Sequence, residues 1–262
     1  SMVMFWLMDT DPFLAINAYF IEPVSTLDGV AELLVKATPL ILIALGLSVG
    51  FQANIWNIGA EGQLTLGAIF SGGIALAYFD VETPFLLPAM LVFGVLGGMF
   101  WAAIPAILKV RYNTNEILTS LMLTYVGLLL LSYLIHGPLR DPDGFNFPES
   151  RLFHDSALLP IIIEGSRLHI GFLLTLFIAV LTWILLIKHI IGFQIRVIGM
   201  APAAARFAGF KQKKLIWITL LFSGGAAGLA GAFEVSGPIG QIVPIISPGY
   251  GFTAIIVAFL GR

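Results

Sequence analysis

Residues 168–187 read LHIGFLLTLFIAVLTWILLI, a stretch of twenty residues without one charged side chain. About twenty consecutive apolar residues make a helix as long as the hydrocarbon core of a bilayer is thick. Shorter apolar runs suit buried helices of soluble proteins, whereas this one has the length of a membrane crossing. The stretch therefore predicts a transmembrane helix that begins just after Arg167.

Six more uncharged stretches lie along the chain, at 37–60, 62–79, 83–108, 117–139, 215–233 and 235–261. The composition agrees with them, because 58% of the residues are hydrophobic and 11% are charged, against about 25% charged in soluble domains. Lipid cannot satisfy backbone polar groups, so each crossing is expected to be helical. We predict an all-α, polytopic bundle of about seven transmembrane helices, forming one domain over residues 1–262.

Two segments are predicted to be broken or re-entrant. Residues 235–261 contain Pro238, Pro244 and Pro248 among several glycines, which would interrupt a helix repeatedly. Residues 54–63 place polar side chains and two glycines where a membrane helix should close or turn. The chain stops inside an apolar stretch, and Ser1 before Met2 resembles the remnant of a tag, so we expect a fragment of a longer protein.

The distribution of charge predicts the orientation. If the crossings alternate, one side of the membrane has Lys109, Arg111, Lys188, Arg196, Arg206, Lys211, Lys213 and Lys214. Of the fifteen acidic residues, only Glu61 and Glu116 lie on that side. Cytoplasmic loops carry an excess of Lys and Arg, so this side is predicted to be cytoplasmic. The long loop 136–169 is then extracytoplasmic, and the basic loop 188–214 is cytoplasmic.

The basic loop contains a predicted short helix. Pro202 suits a first helical position and Gly209 suits the position just past a helix end. Arg196, Arg206 and Phe207 are possible anchors for a partner protein. The same residues also suit a connector that its charges hold near lipid headgroups, and the pattern alone leaves both interpretations open.

Polar residues at the start of an apolar stretch give the second candidate site. Asn57, Glu61 and Gln63 lie where ionisable groups are costly and usually face a cavity or a partner. They are candidates to line a translocation path. Alternatively, Asn57 or Gly59 caps the helix and Glu61 complements its positive N-terminus. A cap at Asn113 or Thr114 is likewise predicted for the helix that begins near Ile117.

Other patterns argue against chemistry on this chain. Residues 46–50 fit the Gly-x-Ser-x-Gly pattern of hydrolases, but Ser48 sits in an apolar stretch without the strand–turn–helix context or a buried histidine partner. The glycine pairs 46/50, 94/98 and 224/228 indicate close helix packing. No phosphate-binding loop is present, so nucleotide hydrolysis must occur on another chain. The four histidines have no metal-ligand spacing and are expected to face solvent.

An ion-coupled secondary transporter is the competing class. Such a carrier would need buried charges in mid-span, and the centres of the predicted crossings contain none. This absence argues against that class.

Several blocks resemble permeases of ABC importers of the simple-sugar and nucleoside type, distantly related to branched-chain amino acid permeases. The blocks are residues 36–40 (KATPL), 57–63 (NIGAEGQ), 115–123, 137–142 (GPLRDP), 192–209 and 247–252 (SPGYGF). Members of that family usually have a further span before Asp9, of which residues 5–8 would be the remainder, and more spans after Arg262.

The resemblance implies a permease subunit in a bacterial plasma membrane, without a cofactor or catalytic residues of its own. Implied partners are cytoplasmic ATP-binding subunits, a second permease subunit, an extracytoplasmic solute-binding protein and the lipid bilayer, without nucleic acid. The translocation path would include Asn57, Glu61, Gln63, Ser247 and Tyr250. The ATPase coupling loop would include Arg196, Gly199, Ala204, Ala205, Arg206 and Gly209.

Overall fold

The computed structural model describes residues 11–261, and the sequence expectations for Ser1, residues 5–8 and Arg262 lie outside them. Within this range the chain folds into helices with no β-strand, apart from one bridge between Ile161 and His169. The α-helices in chain order are α1 (Pro12–Ile16), α2 (Glu22–Ser25), α3 (Leu27–Gln52), α4 (Ala60–Ala77), α5 (Leu86–Tyr112), α6 (Glu116–His136), α7 (Gly171–Lys188), α8 (Ile190–Met200), α9 (Pro202–Phe207), α10 (Gln212–Glu234) and α11 (Tyr250–Leu260).

Five of the described helices are long and apolar enough to cross a membrane: α3, α5, α6, α7, and α10 together with the π-helical turn Val235–Ile239. They correspond to five of the seven uncharged stretches, and the other two are 62–79 and 235–261. The stretch 62–79 forms α4, which begins with polar residues and is buried against α5, α6 and α10. The stretch 235–261 is broken, as its prolines predict, and only α11 at its end is α-helical.

Glycines hold the centre of the bundle together. A Cβ atom placed on Gly98 of α5 would lie 2.1 Å from the carbonyl oxygen of Gly224 on α10, and one on Gly67 of α4 would lie 2.3 Å from Cα of Gly228. Backbones approach this closely only where side chains are absent. The predicted glycine pairs 94/98 and 224/228 therefore pack α5 against α10, with α4 alongside.

The N-terminal segment lies outside the bundle. Phe13, Leu14, Tyr19 and Phe20 are all largely exposed along α1 and the π-helical turn Asn17–Ile21. Exposed apolar residues of this kind are typical of a helix that lies on a membrane surface. The first crossing begins earlier than predicted, because α3 starts at Leu27, where Thr26 accepts a hydrogen bond from the N–H of Gly29.

Two local predictions are wrong. Asn115, not Asn113 or Thr114, caps α6, and its side chain accepts hydrogen bonds from the N–H groups of Ile117 and Leu118. Asn113 instead ends α5 in the left-handed conformation, with φ of 52°. His169 does not face solvent, because it is only 3% exposed beneath the start of α7.

Residues that the charge pattern assigns to one side of the membrane lie together at one end of the bundle. At one end, Lys109, Glu116, Gly199 and Gln212 line a common hollow of about 160 Å³, and the ammonium of Lys109 lies 2.8 Å from the carboxylate of Glu116. These residues come from four segments that the charge pattern places on the cytoplasmic side. The loop 136–169 folds at the opposite end.

Candidate functional site

The first broken segment separates α3 from α4. After Gln52 the chain leaves the helix, and Asn54 adopts a positive φ of 56°. The segment is held by α6, where the hydroxyl of Ser120 accepts a hydrogen bond from the N–H of Ile58 at 3.2 Å. A Cβ atom on Gly59 would lie 2.7 Å from the carbonyl oxygen of Ser120, so only glycine fits at this contact. The break is thus built into the packing of the bundle.

A buried cluster of polar side chains closes this break. Asn57 donates hydrogen bonds to Gln63 at 2.7 Å and to the hydroxyl of Ser223 on α10 at 2.9 Å. Gln63 donates back to Asn57 at 3.1 Å, and the N–H of Gly59 donates to the same Asn57 oxygen. Asn57, Gln63 and Ser223 are each no more than 1% exposed. In this conformation the two predicted path residues bind each other and join α4 to α10.

The second broken segment separates α10 from α11. Gly240 and Gly249 both adopt positive φ angles, 74° and 100°, at the two ends of an irregular stretch. The hydroxyl of Ser247 accepts hydrogen bonds from the N–H groups of Gly249 at 3.1 Å and Tyr250 at 2.9 Å. Ser247 therefore satisfies the N–H of Tyr250, the first residue of α11, and the N-cap of this helix is Gly249.

The two broken segments meet at the N-termini of α4 and α11. The carboxylate of Glu61, in the first turn of α4, accepts a hydrogen bond of 2.6 Å from the N–H of Gly251, in the first turn of α11. A Cβ atom on Gly251 would lie 2.3 Å from the nitrogen of Glu61. The negative charge of Glu61 thus complements the N-termini of both α4 and α11. The sequence predicted this interaction only for the helix that contains Glu61. We call this contact the N-terminal junction.

The sequence analysis missed two residues beside this junction. Ser223 completes the buried amide cluster, and Glu234 ends α10 with only 5% of its surface exposed. The sequence could have pointed to Glu234, because it is the only acidic residue between positions 165 and 262. Its position between two predicted crossings made it look like a loop residue.

On the outer side, the loop before α7 is tied to α3. The guanidinium of Arg167 donates two hydrogen bonds to the carboxylate of Glu32, at 2.9 and 2.6 Å. This pairing raises the pKa of Arg167 above its usual value. Nearby, burial lowers the pKa of His169 from 6.5 to about 4. Its ring accepts a hydrogen bond from the N–H of Gly171 and packs against Phe233.

The predicted cytoplasmic loop 188–214 is mostly helical. α8 (Ile190–Met200) buries Ile195 and Ile198 against the cytoplasmic ends of α3 and α10. Gly199 sits directly on the carbonyl oxygen of Gln52, which a Cβ atom would approach to 2.0 Å. Arg196 is half-buried on the same helix.

α9 (Pro202–Phe207) has Pro202 at its first position, as predicted, and Gly209 follows it with φ of 77°. Ala205 is buried at 1% exposure, whereas Ala204, Arg206 and Phe207 face outward. Phe207 is 97% exposed. α9 therefore presents a projecting, partly apolar surface at the end of the bundle that is predicted to be cytoplasmic.

Three aromatic rings connect the two broken segments near this end. The ring of Trp56 lies 4.7 Å from that of Phe51 on α3 and 5.8 Å from that of Phe259 on α11, measured between centroids. Phe51 immediately precedes Gln52, the residue on which Gly199 rests. The aromatic cluster Phe51–Trp56–Phe259 thus joins the base of α8 to both breaks.

Comparison with known proteins agrees with this architecture. The family described as the permease component of the branched-chain amino acid transport system matches residues 29–262. A glucose ABC transporter permease of Haloferax volcanii is 38% identical over 97% of this chain and 69% of its own length. A guanosine ABC transporter permease of Bacillus subtilis is 34% identical over 88% of this chain and 67% of its own length. No solved structure matches the chain.

The chain therefore belongs to the branched-chain amino acid transport permease family. Within that family it is a permease subunit of an ABC importer of the simple-sugar and nucleoside type, a multi-pass protein of the plasma membrane. The relatives compared here are permease subunits rather than enzymes. The resemblance carried by blocks such as 57–63 and 247–252 is confirmed.

Proposed function

We propose that this subunit moves a small polar solute with a sugar ring, a nucleoside or a simple sugar, across the membrane by alternating access. Relatives named for glucose and guanosine support this solute class. ATP is bound and hydrolysed on separate cytoplasmic subunits. The observation that carries the proposal is the continuous packing from the exposed α9 surface to the N-terminal junction.

The ATP-binding subunits would dock on α9. Arg206 and Phe207 project from it, and Met200 beside it is 86% exposed. Exposed aromatic and arginine side chains are the residue types that dominate protein interfaces. The outward faces of Ala204 and Arg206 lie on this surface, while Ala205 anchors α9 to the bundle.

Movement of α9 would reach the path through two contacts. α8 presses Gly199 onto Gln52 at the end of α3, and the adjacent Phe51 belongs to the aromatic cluster. Close-packed interiors transmit such displacements because they hold few voids. ATP binding would then favour one arrangement of the broken segments over another, through its different affinity for the two states.

The path would pass beside the N-terminal junction. Binding near interrupted helices is common in transporters, because helix ends present unpaired backbone groups to a solute. Asn57, Glu61, Gln63, Ser247 and Tyr250 stay our candidate path residues. All but Ser247 are at least 95% buried, so alternating access requires the segments around them to separate.

The outer loop 136–169 would receive an extracytoplasmic solute-binding protein. It forms one wall of a hollow of about 620 Å³, lined in part by Asp141, Glu149 and Arg151. At its tip Phe145 is 94% exposed and has a positive φ of 49°. A second permease subunit, the same or homologous, would complete the transporter.

Co-purification tests the ATPase partnership. The protein would be extracted gently from membranes as wild type and as the double variant Ala204→Glu plus Arg206→Glu. Arg111→Glu, at the same end of the bundle but outside residues 188–214, is the matched charge-reversal control. We expect an ATP-hydrolysing subunit to accompany the wild type and the control, and to be lost from the double variant while its helical content is retained.

Two results would contradict the proposal. Retention of the ATPase by the double variant would exclude α9 as the docking surface. If no ATPase accompanied even the wild type, while uptake in vesicles followed an ion gradient, the competing ion-coupled carrier would replace the importer.

A further inference from the structure

Two buried polar groups beside the N-terminal junction lack partners. Tyr250 is 5% exposed, and its hydroxyl makes no hydrogen bond with any residue that the structure describes. Glu234 is also 5% exposed, and no hydrogen bond or ion pair among residues 11–261 includes its carboxylate, although its oxygens are not among the fully enclosed atoms. Because desolvating an unpaired polar group is costly, each such group requires an explanation.

Lys36 adds a cation to the same place. Its ammonium lies 5.8 Å from the centre of the Tyr250 ring, over the ring face and without hydrogen-bond geometry to the hydroxyl. Lys36, Glu234 and Tyr250 lie within electrostatic reach of one another. A carboxylate, a phenol and an ammonium from three separate segments therefore converge, and the ammonium interacts with both of the other groups.

The location connects this group to the translocation path. Tyr250 is the neighbour of Gly251, which binds Glu61 at the N-terminal junction. Lys36 lies in the first half of α3 and Glu234 at the end of α10, both toward the side of the outer loop. A solute that enters from outside would reach these three side chains before it reached the junction.

The donor and acceptor set indicates what would bind. The two oxygens of a carboxyl group suit two neighbouring hydroxyl groups. An ammonium only donates, and a phenol does both. Together they complement vicinal hydroxyls, since each hydroxyl both donates and accepts. Aliphatic or purely anionic solutes would leave part of the set unsatisfied.

We propose that Glu234, Tyr250 and Lys36 form an outer subsite that binds vicinal hydroxyl groups of a sugar ring. This inference rests on the proposed function, because it assigns part of the path to a feature of the solute. Glu234 accepts from two adjacent hydroxyls, Tyr250 positions one of them, and Lys36 donates to a ring or hydroxyl oxygen. The hydroxyls belong to the ribose of a nucleoside or to a free hexose.

Uptake by the whole transporter in membrane vesicles tests the subsite, with guanosine and D-glucose as separate probes. Each is compared with a partner that lacks vicinal hydroxyls, 2′,3′-dideoxyguanosine or 2,3-dideoxy-D-glucose. The variants are Glu234→Gln and Tyr250→Phe. Glu22→Gln and Tyr133→Phe make the same chemical changes at exposed positions away from the path.

We expect Glu234→Gln to raise KM for the hydroxylated probe about ten- to hundredfold, since hydrogen bonds to charged groups are the stronger ones. Tyr250→Phe, which keeps the ring, should raise it about three- to tenfold. For the deoxy compound, the wild type and the variants should have similar KM values. This compound lacks the hydroxyls that the subsite is proposed to bind, so changes in the subsite should not affect its transport. If the difference between hydroxylated and deoxy compounds appears with guanosine, the hydroxyls belong to a ribose. If it appears with D-glucose, they belong to a hexose.

Three outcomes would overturn the inference. Equal losses for hydroxylated and deoxy probes would mean that Glu234 and Tyr250 only hold the structure. Unchanged uptake in both variants would mean that the side chains do not meet the solute. If the wild type took up neither probe, the proposed solute class would fail, and the subsite would fail with it.

Discussion

At the scale of single residues, the contact between Glu61 and Gly251 is the one on which both broken helices depend. Removing the carboxylate leaves the N–H of Gly251 buried without its partner. We expect Glu61→Ala to lower the free energy of unfolding by about 1–3 kcal/mol, the cost of an unsatisfied buried group. Glu61→Gln keeps an acceptor oxygen and should cost less. Thermal unfolding in detergent measures both.

Glu164→Ala is the control for this prediction, because Glu164 is an exposed carboxylate on the outer loop. It should leave the melting temperature nearly unchanged. Equal melting temperatures for Glu61→Ala and the control would show that the 2.6 Å bond contributes nothing to stability.

His169 makes a prediction about pH. The folded protein protonates this buried ring near pH 4, whereas the unfolded chain does so near 6.5. The unfolded state therefore binds more protons between these values, and stability falls as the pH is lowered from 6.5 to 4. The full loss corresponds to about 3 kcal/mol. Above pH 6.5 the contribution is complete.

Thermal unfolding at pH 7 and pH 5 checks this. His169→Gln, which removes the titration, should lose less stability between the two pH values than wild type does. His136→Gln, at an exposed histidine, should behave like wild type. Equal pH sensitivity in all three proteins would contradict the assignment to His169.

The residue scale is also where sequence alone was weakest. Asn113 and Asn115 are both polar residues just before an apolar stretch. The sequence around them does not show which of the two caps the helix. Glu61 and Gly251 are 190 positions apart, and no periodicity links them. The burial of His169 likewise comes from Gly237 and Phe233, which reach it through the fold.

At the scale of helices, the glycine contact between α5 and α10 determines how closely the two pack. Gly98→Ala would place a Cβ atom 2.1 Å from the backbone oxygen of Gly224, so the helices must separate. We expect a loss of about 1–3 kcal/mol, typical of overpacking. The melting temperature of the detergent-solubilised protein measures it.

Gly73→Ala is the matched control within α4, because nothing lies within 4 Å of the added Cβ atom. Alanine favours a helix over glycine by about 0.5–1 kcal/mol, so this variant should be unchanged or slightly more stable. If both variants melted alike, close packing at Gly98 would not be limiting.

Helix-level prediction succeeded where composition decides the structure. The short helix at Pro202 and the break in 235–261 were both predicted, because proline and glycine act through their own backbones. An uncharged stretch does not reveal whether lipid or protein surrounds it. α4 is covered by neighbouring helices, so it tolerates Glu61 and Gln63 in its first turn.

At the scale of the whole molecule, the aromatic cluster should couple ATP hydrolysis to transport. Phe259→Ala removes the ring that joins α11 to Trp56. We expect the ATPase still to co-purify, while ATP-dependent uptake falls by about fivefold or more, the range of typical coupling energies. Loss of co-purification, or full uptake, would contradict this role. Phe13→Ala, an exposed ring on α1, is the control.

The general organisation of the molecule was predictable, since hydropathy and charge alone gave an all-α membrane bundle with a basic cytoplasmic end. The convergence of the two broken segments was suggested by the resemblance of two blocks to one family. Their head-to-head contact was not predicted, because it depends on how α4 and α10 cross at their glycines.

That contact has an electrical consequence. Each helix N-terminus carries about half a positive elementary charge, and the carboxylate between them carries one negative charge, so the junction is close to neutral. Displacing a full charge through the membrane field would involve about 2.3 kcal/mol for every 100 mV. Because the junction can move without carrying net charge, its rearrangement should be indifferent to the membrane voltage, in keeping with the proposal that nucleotide hydrolysis on another subunit sets the direction of transport.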